Sequence, residues 1–433
     1  MIIVGLITSI FAGCGKEEEV VNQVVKKAKV SKEVTLTFGI HQSGLPSSGI
    51  LEELAADFEK ETKIKIEFQV SPDVGWDDLI KEKLASKEAP DIICADSEPL
   101  SMYSKFDPEN NLVALDDQEW VSRMDSSVLP SISYKDRVYG ITFAGPKMYA
   151  YLYNKQIFAD LGLEIPTTYE EFKTVCQTIK DAGIIPIYEA TTSGWHQVLP
   201  VYENAGLYTQ NNMELFEKLN TNQISLADIP GMLKIITQMK EFADLGFYGE
   251  DYLTNTVEDA KQAIATRKAA IFLSEAGWAN EVETDYPEFS ASNLGIFAMP
   301  WGDNQTIGVN PASNAYFINA NSEYIEEAKL FFEFLSRPEN LQRRLDGQTG
   351  LLQLCWPEIN SKYPAEYDEY LNSKEKELVM QVGVKYVATG FMDMGADLVK
   401  MYEGKIMPED VINAAQQRRE EQANLLKDAT WQD

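Results

Sequence analysis

The sequence predicts an α/β fold made of two bodies, and three observations carry that expectation. From residue 34 the apolar period alternates between two and 3.6, so strand-like and helix-like segments follow one another. The alternation runs strand, helix, strand, helix, strand to residue 96 and starts again near residue 147. The 433 residues amount to about three times the roughly 150 of an ordinary domain.

Taken in order, VTLTFGI (34–40) reads as a strand, and SSGILEELAADFEKET supplies serine caps followed by Leu51, Leu54, Ala55 and Phe58 at helical spacing. TKIKIEFQV alternates strictly through Ile64, Ile66, Phe68 and Val70, WDDLIKEKLASK returns to a helix, and APDIICAD gives a third strand after the Pro90 breaker. In the second body KMYAYLYNK (147–155) alternates as a strand, with Tyr149, Tyr151 and Tyr153 opposite Met148, Ala150 and Leu152. Thr168 and Glu171 form a capping box for a helix whose Phe172, Val175, Cys176 and Ile179 share one face, and Gly183 stops it. IIPIYEA is the next strand, 230–245 a helix opened by proline, and KAAIFLSEAGW a strand followed by a loop. Residues 322–346 hold a Phe-rich helix that restarts at Pro338. Beyond Pro408 one polar helix carries a thin apolar stripe through Val411, Ile412, Ala415 and Leu425.

Composition narrows the function. With 38 basic and 68 acidic side chains the net charge is −30, which repels phosphate backbones and makes a nucleic-acid partner untenable. Two histidines (His41, His196) and four cysteines leave little for a transition-metal site, histidine catalysis or a disulfide framework, so no metal or other cofactor is expected. Cys94 and Cys176 fall on apolar segments and read as buried structural thiols.

Residues 2–13, IIVGLITSIFAG, form an apolar run too short for a bilayer helix of about 20 residues. Followed by Cys14, the run resembles a secretory leader ending in the lipobox of bacterial lipoproteins, which implies residues 1–14 as signal peptide and Cys14 as the acylated anchor. Residues 15–33, charged and without an apolar stripe, read as a tether. Acyl chains contribute about 0.8 kcal/mol per buried methylene, enough to hold an acidic body at a membrane.

Ligands of open α/β sheets gather beyond the carboxyl ends of strands. The residues there are His41 and Gln42, then Asp73 with Trp76, then Asp96 and Ser97, then Glu189 with Trp195, then Glu275 with Trp278. Carboxylates recur beside tryptophans. A carboxylate accepts hydrogen bonds from neighbouring hydroxyls while an indole face covers the C–H surface of a pyranose, so the pairing suits a neutral sugar. Each residue also has a plain reading: Asp96, Glu189 and Glu275 as helix caps, Trp76 as packing, His196 as a polar neighbour of Trp195.

The order of segments resembles the extracellular solute-binding proteins of bacterial ABC importers (family 1, the group that includes maltodextrin-binding protein). The resemblance rests on EELAADFEKETKIKIEFQV, LASKEAPDIICAD, the stretch VYGITFAGPKMYAYLYNKQIFADLGLEIPTTYEEF, KAAIFLSEAGWANEV, NLGIFAMPWGD and AKLFFEFLSRPENLQRRL, all in the same order. It implies a type II periplasmic-binding-protein-like fold: two lobes, each a mostly parallel sheet flanked by helices, joined by crossover hinge strands. The expected N-terminal lobe is 34–143 plus 299–314, and the C-terminal lobe 144–298 plus 315–433, with crossovers near 142–148 and 296–300. Matching positions make His41, Gln42, Asp96, Ser97, Trp278 and Asn314 sugar contacts; EATTSGWHQ supports Trp195 and GLLQLCWP adds Trp356. With Trp76, Tyr149, Glu189 and Glu275 these form the expected ligand set.

The resemblance further implies a monomer that captures a monosaccharide or oligosaccharide outside the cell and delivers it to an ABC permease, without catalytic residues. Two other readings stay open from the residues: an extracellular glycoside hydrolase using Glu189 and Glu275, which needs its carboxyls roughly 5 to 9.5 Å apart, and a binding protein for an uncharged non-sugar solute.

Overall fold

The computed structural model describes residues 34–73, 75–97, 106–210 and 212–431. The expected leader, Cys14 and the tether lie outside these described residues.

The first body is organised by β1 (Val34–His41), β2 (Ile64–Ser71) and β3 (Ile92–Asp96). β1 pairs in parallel with both, in register Val34 to Ile64 and Phe38 to Ile92. Leu36, Phe38 and Ile40 are fully buried, as a central strand requires. Gly39 is obligatory there, because a Cβ would meet the Pro90 ring at 2.6 Å. The helix α1 (Ile50–Thr62) lays Leu51, Leu54, Ala55 and Phe58 on this core, as its spacing predicts. Its N-cap is Gly49 at φ 77°, with no side-chain cap, in place of the expected serines. β4 (Ser133–Tyr134) and β5 (Arg137–Val138) make a small hairpin, and β6 (Gly140–Thr142) ends the segment.

The second body is built on β7 (Tyr149–Asn154), β8 (Ile185–Ile187), β9 (Ala269–Glu275) and β10 (Leu294–Phe297), in the order β10-β7-β9-β8. The capping box forms as expected at Tyr169–Asp181: Thr168 Oγ1 accepts from the Glu171 amide, and the Glu171 carboxylate accepts from the Thr168 amide. Phe172 of that helix enters an aromatic cluster with Tyr151, Phe242, Phe297 and Trp301. In the last long helix, Pro408–Leu425, Val411, Ile412 and Ala415 are buried, but Leu425 is exposed. The anchor nearly two turns earlier is Arg419, fully buried and donating to the Lys385 and Leu219 carbonyls.

β11 (Ile307–Val309) pairs with β13 (Lys376–Leu378), while β12 (Asn314–Ile318) inserts antiparallel between β3 and β6, giving the first sheet the order β2-β1-β3-β12-β6. Both sheets are therefore mixed rather than mostly parallel: strands adjoining the crossovers run back against their neighbours, and in the second sheet only β8–β9 is a parallel pair.

The lobe boundaries also move. Residues 315–318, the Phe-rich helix and Leu354–Trp356 belong to the first core, whereas Met299, Trp301 and Ile307 belong with the second body. The expected crossover at 296–300 becomes one at 310–313, and a third crossing follows between Trp356 and Tyr367. The crossing segments are hydrogen-bonded to each other: Lys147 and Asn310 exchange backbone bonds of 2.8 and 2.9 Å, the Gly145 amide reaches the Gln353 carbonyl at 2.9 Å, and the Cys355 amide the Phe143 carbonyl at 2.9 Å. This narrow ribbon is the covalent and hydrogen-bonded joint between the bodies.

Candidate functional site

Between the two cores lies a cleft of about 730 Å³, within the roughly 300–1,000 Å³ typical of small-molecule sites. One wall is the loop Gln42–Ser48 beyond β1 together with Asn314 at the start of β12; the other is Glu275–Gly277 beyond β9 with Glu281 and Asp285. Ala144–Lys147 of the hinge forms the floor, and the segment Gln348–Gln353 closes one side. Gln42, Glu275 and Asn314 of the expected ligand set thus converge on one space, the first two as the strand-end rule predicts and Asn314 as the resemblance implies.

The polar groups of the first wall are fixed from behind. His41 is buried, with Nδ1 3.0 Å from Asp73 Oδ1 and 3.1 Å from Ser43 Oγ, while Nε2 lies 3.0 Å from Asn314 Oδ1. His41 therefore holds the Asn314 amide instead of meeting a ligand itself. On the second wall Tyr149 and Glu275 are paired across β7 and β9, and burial together with the neighbouring Glu275 charge raises the tyrosine pKa. Burial raises the Glu275 pKa against the opposing pull of Lys147 and the Tyr149 hydroxyl. Burial and the Glu275 charge push the Tyr363 hydroxyl up to about 12. Tyr363 is the aromatic side chain among the described lining residues, and sequence reasoning missed it.

The tryptophans do not form the expected platform. Trp76 is the first residue of the helix Trp76–Ser86, its indole N–H donates to the Cys94 carbonyl at 2.9 Å, and it lies on one buried stripe with Ile80 and Leu84. Trp278 is 6% exposed, packed at 4.6 Å against Phe272, with its N–H lacking an acceptor. Trp356 is fully buried in the first core. Trp195 is half-buried against the second core, edge-on to His196. Trp76, Trp278 and Trp356 are thus spent on the cores they complete, and only Trp195 keeps a partly exposed ring.

Ser97 and Glu189 are likewise structural. Ser97 exchanges bonds with Ser131 and the Ser313 backbone. Glu189 is 4% exposed and meets His196 Nδ1 at 3.1 Å, the other ring nitrogen lying 2.9 Å from the Leu273 carbonyl. A carboxylate so enclosed cannot act across a scissile bond, which removes the hydrolase pair with Glu275. Asp96 is exposed at the end of β3, opposite Asn314 in register. Among the described residues no group of three or more His, Cys, Asp or Glu is placed to hold a metal ion.

Two charged residues near the cleft had no sequence signal. Arg344 lines it, on the helix Pro338–Gly347. Glu203 lies behind the hinge, 1% exposed, accepting from the Gln381 amide with one carboxylate oxygen unpartnered. Burial, reinforced by Glu275 and opposed by Gln381 and Lys147, raises its pKa from 4.5 to about 8. Between those values the folded protein keeps a proton that the unfolded chain releases, so stability falls as pH rises through the window. Glu203→Gln, which copies the neutral acid, is expected to melt with wild type at pH 4.5 and above it at pH 8.5, by on the order of a few kcal/mol. Parallel melting curves at both pH values would show that Glu203 binds no extra proton.

A sequence profile of bacterial extracellular solute-binding proteins matches residues 43–342. The chain is similar to the multiple sugar-binding protein of Streptococcus mutans, 24% identical over 355 residues and 79% of each chain. It is also similar to the melibiose/raffinose/stachyose-binding protein MelE of Bacillus subtilis, 21% identical over 383 residues, 86% of this chain and 85% of that one. Among solved structures, the sugar transporter BL01359 of Bacillus licheniformis, in complex with stachyose, superposes with a TM-score of 0.71 at 21% identity, over 89% of this chain and 99% of that one. At such identity the superposition establishes the two-lobed fold.

Proposed function

The chain belongs to the bacterial extracellular solute-binding proteins, and on that premise we propose that it captures a carbohydrate in the interlobe cleft and delivers it, chemically unchanged, to the permease of an ABC importer. The observation that carries the ligand class is the lining: serine and threonine hydroxyls, Gln and Asn amides and the Glu275 carboxylate converge from both lobes, a donor and acceptor set matched to vicinal hydroxyls. The sugars named for the Streptococcus and Bacillus relatives support the same class. A ligand touching both walls favours the closed arrangement by its differential affinity, with the hydrogen-bonded ribbon as hinge. Anchoring through Cys14 at the extracellular face of the cell membrane and action as a monomer complete the reading.

Thermal unfolding in a series of mono- to tetrasaccharides tests it. A cognate sugar at 100 times its Kd is expected to stabilise the fold by about 2.7 kcal/mol, raising Tm in a concentration-dependent way. Unchanged Tm with every saccharide would remove the carbohydrate reading.

A further inference from the structure

Both ring nitrogens of His41 face oxygen: Nδ1 lies 3.0 Å from Asp73 Oδ1, and Nε2 3.0 Å from Asn314 Oδ1. Only an imidazolium donates from both, whereas a neutral ring has one N–H and one lone pair. The Asp73 carboxylate is purely an acceptor. Against the desolvation that raises its pKa, bonds from the Ser43 amide, His41 and the Ser43 hydroxyl lower it. It keeps the N–H of a neutral ring on Nδ1, because a lone pair there would face the negative oxygen. The Ser43 hydroxyl, 3.1 Å from Nδ1, lies 3.0 Å from the same Asp73 oxygen, and its single proton goes to the carboxylate. Nε2 is then the bare nitrogen and needs a donor.

Asn314 supplies one by turning. Rotation of an amide about its terminal bond exchanges Oδ1 with Nδ2 and moves nothing else. As the structure stands, Oδ1 is spent on Nε2, and Nδ2 donates to no group among the described residues, so it is the end left to the cleft that the partly exposed Asn314 lines. The ring has no such freedom: it is buried, and a Cβ on Gly44 would lie 3.0 Å from Nε2 and 3.2 Å from Cδ2. Around it stand Trp76 with ring centroids 6.0 Å apart, the exposed Asp96 on β3, and Cys94, which burial keeps a thiol and which the Arg344 charge reaches. Among the described residues Asp73 is the ion in contact with the ring. The other histidine, His196, meets the Glu189 carboxylate and the Leu273 backbone carbonyl, neither of which can turn to donate.

We infer that His41 is a positioning residue that selects which end of the Asn314 amide meets the ligand, the imidazolium presenting the Nδ2 donor and the neutral ring the Oδ1 acceptor. The inference rests on the carbohydrate reading above and gives the bound sugar an accepting oxygen at Asn314. A sugar hydroxyl has one proton, and once that proton is given to a carboxylate such as Glu275 its lone pairs call for a donor. Binding then favours the imidazolium and takes up a proton, so affinity falls as pH rises through the histidine's titration.

Nitrogen-15 spectra of the ligand-free protein, labelled at histidine, test the selection itself. His41, assigned by its loss in His41→Gln, is expected to carry protons on both nitrogens at pH 5 and on Nδ1 alone at pH 8.5. A proton on Nε2 alone at the higher pH, or on both nitrogens throughout, overturns the selection. Calorimetric titration with stachyose, raffinose and maltotriose tests the coupling. The tightest binder of the three is expected to take up protons, seen as an enthalpy that depends on the buffer, and to bind at least about fivefold more weakly at pH 8 than at pH 5.5. Asp73→Ala frees the Ser43 hydroxyl to donate to Nδ1, so a neutral ring carries its proton on Nε2 and keeps hold of Oδ1. In that variant the loss between the two pH values is expected to vanish, with affinity at pH 8 above that of wild type, whereas a merely structural loss would lower affinity at both. Glu203, with its pKa of about 8, and Glu275, whose pKa burial raises, are untouched by the substitution. A pH dependence that persists in folded Asp73→Ala therefore belongs to them and overturns the assignment to His41. Equal affinity at both pH values in wild type overturns the coupling and leaves the carbohydrate reading intact. Failure of every saccharide, in calorimetry and in thermal unfolding, overturns the carbohydrate reading and the coupling with it, and the nitrogen-15 spectra then decide the amide selection alone.

Discussion

Gly277→Ala is expected to weaken ligand binding by about 5- to 150-fold, with a smaller loss of stability, because the glycine lets the two walls of the cleft touch. Gly277 precedes the helix Trp278–Asp285 at φ −63°, an ordinary conformation for any residue, so backbone freedom is not its purpose. Its purpose is close approach: a Cβ there would lie 1.9 Å from the Gly350 carbonyl oxygen and 2.8 Å from the carbonyl carbon. Gly350 is itself pressed against Glu281, whose Oε1 a Cβ at 350 would meet at 2.3 Å. The obstructing atoms at Gly277 are backbone, which cannot swing aside as a long side chain can. The segment Gln348–Gln353 would have to retreat, and overpacking of this kind costs about 1–3 kcal/mol. Since Gly277 stands on the second body and the segment follows a helix of the first core, retreat displaces one side of the cleft from the other. The strain thus acts against the arrangement in which Gly277 and Gly350 touch, and a penalty of that size lowers the affinity of a ligand that binds this arrangement by the stated factor. Titration of wild type and variant with the cognate saccharide gives the ratio. Affinity within twofold, with an unchanged Tm, would mean that the contact yields freely and does not hold the walls together.

How far the sequence could be read follows from the range of the forces involved. The strands up to residue 96, the capping box at Thr168 and the apolar face of Tyr169–Asp181 were legible because they depend on neighbours within a few residues. Gln42 and Glu275 were legible as cleft residues because strand ends are local features, whereas Asn314, the first residue of β12, came only from the family resemblance. The tryptophans were misread where two local rules competed. A residue just past a strand lies near the crevice, but Trp76 also begins the stripe Trp76, Ile80, Leu84, and that stripe faces the core. The helical period, not proximity to a strand end, decides where such a side chain points.

What was not legible depends on contacts across hundreds of residues. β12 looks like any alternating strand, and nothing in NAYFI says that it inserts between β3 and β6, so the boundary at 314 fell in the wrong place. Arg344, within QRRL, reads as surface charge until Tyr316 and Phe143 are brought to it. Glu203 sits among short helical turns with no periodic signal, and its burial appears only when β11 and β13 close over it. Sites at a lobe junction gather residues from distant segments, so local patterns identify some of their walls and few of their charges.

Trp356→Ala is expected to destabilise the protein by about 3–5 kcal/mol while leaving the affinity of the folded fraction close to wild type. The indole fills the first core completely: it stacks on Phe143 with ring centroids 6.2 Å apart and an interplanar angle of 25°, and the Arg123 guanidinium lies 5.2 Å from the ring centroid. Its N–H donates to the Thr142 carbonyl at 3.1 Å, an oxygen that also accepts from the Cys355 thiol at 3.3 Å. Truncation removes a large apolar surface and the stacking partner of Phe143, and leaves a cavity that Arg123 cannot collapse into, because its guanidinium is held by the Ser336 carbonyl at 2.7 Å and by Glu358 at 2.6 Å. The Thr142 carbonyl keeps one donor, so the loss is chiefly one of packing. Against a total stability of about 5–15 kcal/mol such a loss is large. Denaturant unfolding should therefore show a lowered midpoint with an unchanged slope, and Trp356→Phe should recover most of the difference. The alternative, that the ring stacks on a sugar, requires the opposite pattern: affinity lost with stability kept. An indole with no exposed face cannot lose a sugar contact without first losing its core, so stability and affinity, measured together, separate a wall of the cleft from the structure that supports it.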